Sequence, residues 1–234
     1  MKSGISVALM FGAAALLHAA DTPREFVEVT HSEHVDFPVG GTLRLLHSTG
    51  DLTIEGWDRS DVEITTSKMI ADDPSERAKA THDLDAHHLV VKREGNGLVV
   101  AANSAWYTNL HLEYTIKAPY SAHLVVNHRS GDVYVDGLLG GIDVFLREGE
   151  VVLHLPENEK YSIHARCDIG NVYSDYQGEE KQLWWLIGHR IEGGNAPSAP
   201  HKLNLRVRVG DIVILKASGN KPAEPPVPVK ANGL

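Results

Sequence analysis

The feature that most constrains this chain is a short sequence that returns five times. It is a glycine, then Asp, Glu or Asn, then an apolar residue that opens an alternating run. The copies are Gly50-Asp51-Leu52-Thr53-Ile54, Gly131-Asp132-Val133-Tyr134-Val135, Gly149-Glu150-Val151-Val152-Leu153, Gly170-Asn171-Val172-Tyr173-Ser174 and Gly210-Asp211-Ile212-Val213-Ile214. Glycine reaches positive φ without a Cβ clash. Asp and Asn close tight turns through their own side-chain oxygens. Each copy therefore predicts a turn that feeds a strand. The glycines of the last four copies lie 18, 21 and 40 residues apart, and the final gap holds a weaker copy around Gly188 to Gly194. A period near 20 predicts a solenoid, in which each coil buries its face against its neighbours. A plain sandwich would place turns every ~8–12 residues with no preferred turn sequence.

Between the turns, apolar and polar residues alternate. Thr42 to Leu45, Asp61 to Ile64, His111 to Ile116, Ile142 to Arg147 and Leu203 to Val209 all read as strands with one buried and one wet face. Helical periodicity is confined to Pro74 to Ala86, where Pro precedes Glu76, Arg77 and Lys79. The expected fold is all-β. A strand-rich N-terminal part over residues 21–118 continues into a right-handed β-solenoid over 119–216.

The chain begins with Lys2, an apolar run from Ile5 to Leu17, and small residues at Ala19 and Ala20 before Asp21. That is the three-part pattern of a signal peptide, assigned here to residues 1–20. The run is shorter than the ~20 apolar residues a spanning helix needs. Residues 217–234 carry four prolines and no periodic apolar pattern, and read as a disordered tail. The formal net charge is −9. An acidic balance argues against nucleic-acid binding, which needs a basic footprint. Cys167 is the only cysteine, so no intramolecular disulfide forms, and a lone Cys reads as a small buried hydrophobe.

The segment His47-Ser48-Thr49-Gly50-Asp51-Leu52-Thr53-Ile54-Glu55-Gly56-Trp57-Asp58 resembles the early signature of an adhesin-like family of unknown function, DUF4097. Arg129-Ser130-Gly131-Asp132-Val133-Tyr134-Val135-Asp136-Gly137 resembles its repeated unit. The similarity covers roughly residues 40 to 216. It implies a bacterial envelope or secreted β-solenoid and brings no catalytic residues with it. The chain departs from the pattern between Leu183 and Ile191, where Trp184 and Trp185 stand in place of a small polar turn.

Candidate chemistry is sparse. His82, Asp83, Asp85, His87 and His88 cluster without metal-site spacing, and His31-Ser32-Glu33-His34 lacks the helical zinc pattern. The acids Asp51, Asp132, Glu150 and Asp211 would stack at the rungs of a coil, where a calcium ladder competes with plain turn chemistry. Serine-hydrolase elbows are absent. The expectation is no enzyme and no cofactor or metal. Aromatic residues are the remaining signal. Alternation turns Val133 and Val135 inward, so Tyr134 points out, and Tyr173 occupies the equivalent place. Tyr134, Tyr173, Trp184 and Trp185 form the candidate partner surface. The function expected is a non-catalytic, exported binding or scaffold module whose partner is an envelope protein or a glycan. Its rivals are a self-assembling envelope element and a carbohydrate-active enzyme.

Overall fold

The computed structural model describes residues 26–71, 88–102, 110–183, 188–194 and 199–217. The signal-peptide segment, the Pro74–Ala86 candidate helix, His82 to His87, Trp184, Trp185 and residues 218–234 lie outside them.

The described residues form seventeen strands and no helix. Most belong to two-strand units joined at a corner: β2 (Thr42–Thr49) with β3 (Asp51–Trp57), β8 (His123–Ser130) with β9 (Val133–Asp136), and β10 (Ile142–Glu148) with β11 (Val151–Pro156). Two more units pair β12 (Tyr161–Ile169) with β13 (Val172–Ser174), and β16 (His201–Val209) with β17 (Ile212–Ala217). The first strand of each unit lies in one sheet and the second in the other. Around these units stand β1 (Phe26–Asp36), β4 (Asp61–Ala71), β5 (Leu89–Glu94), β6 (Gly97–Ala102), β7 (Leu110–Pro119), β14 (Gly178–Leu183) and β15 (Gly188–Gly193). The eight-stranded sheet A runs β1-β4-β7-β3-β9-β11-β17-β13, and the nine-stranded sheet B runs β14-β15-β12-β16-β10-β8-β2-β6-β5. Both sheets are open at their edges.

The expected coil, stacked in chain order, requires correction. Along both sheets the units follow β2–β3, β8–β9, β10–β11, β16–β17 and then β12–β13. The last unit in sequence enters between the third and the fourth. The hairpin β14–β15 takes the flank instead, running antiparallel to β12. This is why the final glycine gap is double. Between the last two glycines β13, β14 and β15 lie at the sheet edges before β16 returns to the interior, and the segment around Gly188 to Gly194 is an antiparallel strand.

Alternation supplies one core. Leu43, Leu124, Ile142, Ile163 and Leu203 from sheet B meet Leu52, Val133, Val151 and Ile212 from sheet A in one cluster, all essentially inaccessible. Burial of this kind is the main favourable term in such a fold.

The corners show why the turn must begin with glycine. Gly50, Gly131, Gly149, Gly170 and Gly210 all have φ between 107° and 134°. They also stack. A Cβ on Gly131 would lie 2.2 Å from the Gly50 carbonyl oxygen, one on Gly149 2.2 Å from that of Gly131, and one on Gly210 1.9 Å from that of Gly149. Gly170 follows, 2.0 Å from the oxygen of Gly210. The order of contacts reproduces the order of the units.

The acids act between turns and not within them, which corrects the expectation of self-closed turns. Asp51 Oδ1 accepts from the Asp132 amide at 3.1 Å, Asp132 Oδ1 from the Glu150 amide at 2.8 Å, and Asp211 Oδ1 from the Asn171 amide at 2.7 Å. Each carboxylate joins its unit to the next. Asp132→Asn keeps an acceptor oxygen and is expected to change stability by less than about 0.5 kcal/mol, whereas Asp132→Ala should lose about 1 kcal/mol. Urea unfolding of the two variants beside the wild type checks this; equal losses would show that the bond to Glu150 contributes nothing.

Candidate binding surface

The outer face of sheet A carries the predicted tyrosines. Val133 and Val135 are fully buried while Tyr134 between them is 42% exposed; Val172 is buried and Tyr173 is 55% exposed. Cross-strand register places both tyrosines in one row. Thr53 pairs with Tyr134, Tyr134 with Val152, Val152 with Val213, and Val213 with Tyr173. The tyrosines are therefore three strands apart, where stacking in chain order would put them two apart with Val152 alone between. Two half-buried valines separate them, over about 14 Å at the usual strand spacing. The row is an apolar strip with a phenol at each end. Tyr173 also borders an open hollow lined by Asn171, Ser174, Asp175, Glu180 and His189.

Elsewhere on sheet A, Trp57 ends β3 at the turn that leads into β4. Its indole Nε1 donates to the Asp61 carbonyl at 2.9 Å, and the Arg59 guanidinium lies 4.6 Å from the ring centre. Arg59 also makes two hydrogen bonds to the Asp61 carboxylate. Burial opposes ionisation of Asp61, but the hydrogen bond from His34 and the charge of Arg59 hold its carboxyl below the ordinary range.

Two buried titratable groups, His128 and Cys167, sit at the corners. His128 is wholly buried; its Nδ1 lies 2.6 Å from Ser48 Oγ and its Nε2 2.8 Å from the Gly50 carbonyl oxygen. A carbonyl only accepts, so Nε2 carries the proton and Nδ1 accepts from the serine. Burial lowers the pKa of this imidazole, against the opposing pull of the Gly50 carbonyl, Asp51 and Asp132. The thiol of Cys167 is likewise buried and donates to the Gly210 carbonyl at 2.7 Å, and burial raises its pKa. His189 Nδ1 lies 2.9 Å from the Gly170 carbonyl. Three of the five corner carbonyls are thus each satisfied by a side chain. Sequence reasoning missed His128, although its alternation with Leu124 and Val126 marks it as an inward residue.

Surface histidines pair with carboxylates, His123 with Asp143 at 3.1 Å and His201 with Glu159 at 3.3 Å, while His34 reaches both Asp61 and Glu63 and His111 both Asp51 and Glu113. Among the described residues no three or more His, Cys, Asp or Glu side chains are grouped to hold a metal ion. Among them, too, no helix is long and apolar enough to cross a membrane.

No protein-family model matches the chain, and no curated protein matches it. Solved structures do. A "putative cell adhesion protein" from Clostridium sporogenes matches at 12% identity over 81% of this chain and 100% of its own, with a TM-score of 0.48. A "putative adhesin" from Bacteroides fragilis covers 80% of this chain and 97% of its own at 12% identity, with a TM-score of 0.25. A "putative lipid binding protein" from Parabacteroides distasonis covers 63% and 70% at 12% identity, also with a TM-score of 0.25.

Proposed function

We propose that this chain is an exported, non-catalytic binding module of the cell envelope or the secreted fraction. In this reading residues 1–20 are removed on export and the chain is of the DUF4097 type. Units β8–β9 and β10–β11, adjacent in both sequence and space, then form one turn of a right-handed coil. The observation that carries the functional reading is the exposed row Tyr134–Val152–Val213–Tyr173 on the outer face of sheet A. Tyrosine presents rigid contact area with a polar tip, which suits a protein or glycan partner. The row sits on strands whose other face is core, so its side chains can change without disturbing the fold.

The test is the double variant Tyr134→Ser/Tyr173→Ser, compared with wild type for co-sedimentation with isolated cell envelopes. Association should fall severalfold while the melting temperature moves by no more than about 2 °C, as for surface changes generally. Undiminished association of the folded variant would remove the row from the binding surface. Self-assembly through an open sheet edge is the rival reading, and it would show as a mass that rises with protein concentration.

A further inference from the structure

Sheet B carries a second surface, assembled by register from residues far apart in the chain. Six of the eleven arginines converge on its outer face. Arg206 on β16 stands opposite Arg166 on β12, Arg166 opposite Arg190 on β15, and Arg190 opposite Lys181 on β14. Two residues further along the strands, Arg129, Arg147 and Arg208 align on β8, β10 and β16, within the same register. The residues between the two rows, His128, Leu146, Val207 and Cys167, are all buried, so both rows face outward. Asp168 is the one carboxylate within the rows, bridging Arg166 at 2.9 Å and Arg206 at 3.2 Å, while the flanking Glu192 and Glu179 reach Arg190 at 3.4 Å and Lys181 at 3.1 Å. Arg147 and Arg208 are exposed, and among the described residues neither has an ion-pair partner. Like charges directly opposite one another on a sheet are destabilising. A chain with nine surplus negative charges has ample carboxylates to interleave, yet Arg147 and Arg208 stand side by side at the open part of the stripe.

The stripe is narrow and long. It crosses six strands, about 24 Å at the usual strand spacing. On one side runs a row holding Asp143, Glu192 and Glu179. On the other lie Glu148 and the corner acids. A flat anionic membrane would press against these flanks as well as the stripe. A linear polyanion would follow the cations alone. At the β10 end the row of Arg206 continues into the exposed Phe145 and then Asn127. An aromatic face for a sugar ring, an amide for hydroxyls and arginines for carboxylates are complementary to an acidic sugar polymer.

We infer that the arginine stripe of sheet B binds a linear acidic polysaccharide of the uronate type, laid across the strands. The inference rests on the binding-module reading but uses a face distinct from the tyrosine row. The test measures binding of polygalacturonate to the full chain, beside Arg147→Glu/Arg208→Glu and the double tyrosine variant. Wild type should bind at low salt and weaken steeply as salt is raised. The arginine variant should lose about tenfold or more in affinity with an unchanged melting temperature. The tyrosine variant should bind polygalacturonate as wild type does, so failure of one surface is read separately from failure of the other. Neutral dextran should not bind. Equal affinity of wild type and Arg147→Glu/Arg208→Glu, or no binding of polygalacturonate at low salt, overturns the inference. Tighter binding of single-stranded DNA or of phosphatidylglycerol vesicles overturns it in favour of that class of partner.

Discussion

Gly131→Val is expected to lower unfolding free energy by about 3–5 kcal/mol, the sum of a strained positive φ and overpacking against a rigid neighbour. Its φ is 114°, a conformation that a β-branched residue resists. Its Cβ would also lie 2.2 Å from the Gly50 oxygen. That oxygen belongs to the backbone of the adjoining corner, so relief requires the two units to separate. Gly95 separates the two causes. It has φ of 58°, yet nothing lies within 4 Å of a Cβ there. Gly95→Ala should therefore lose only about 1 kcal/mol, the left-handed penalty alone. Thermal unfolding of both variants decides it. If Gly131→Val melts within a degree or two of Gly95→Ala, close corner stacking is not what demands glycine.

The second large effect is expected at His128. In β10 and β16 the equivalent inward positions hold Leu146 and Val207, so the fold accepts an aliphatic side chain there. His128→Leu should nevertheless lose about 2–3 kcal/mol at neutral pH, because Ser48 Oγ and the Gly50 carbonyl lose their partner inside the core. The pH dependence separates this from simple packing. Burial depresses the folded-state pKa of His128 below its ordinary value of 6.5. The unfolded chain then takes up this proton first as pH falls, so the contribution is fully present above 6.5 and is lost below it, toward the depressed folded value. The stability gap between wild type and His128→Leu should accordingly narrow on going from pH 7.5 to below 6. A gap that stays constant over that range would mean that His128 does not stay neutral.

Much of the fold is legible from the residues alone. The alternating runs Thr42 to Leu45, His111 to Ile116, Ile142 to Arg147 and Leu203 to Val209 fall within β2, β7, β10 and β16, because period-two burial is a local property. Val133 and Tyr134 take opposite faces for the same reason. The stacking order is not legible. All five corners carry nearly the same turn sequence, so any corner can seat against any other as far as local chemistry goes. Only long-range register distinguishes Gly210 from Gly170 as the neighbour of Gly149. The arginine stripe is hidden for the same cause. Arg129 and Arg208 are almost eighty positions apart, and nothing near either residue records that one intervening strand, β10, will bring them into one row. Asp132 is an instructive intermediate case. Its presence at the turn is expected from its chemistry, but its bond to the amide of the next corner depends on which corner is next.

The placement of β16–β17 between β10–β11 and β12–β13 has a consequence for how the chain matures. As the polypeptide emerges, amino end first, the first three corner units can dock as they appear. The fourth, β12–β13, emerges into a slot with no wall, since the strands that join it to β10 and β11 arrive some 40 residues later. Until then β10 and β11 keep raw edges open to stray strands. Late insertion of a central wedge is a non-local and intrinsically slow step. This architecture therefore closes only after synthesis of its last strands, and its period of vulnerability lasts until they arrive.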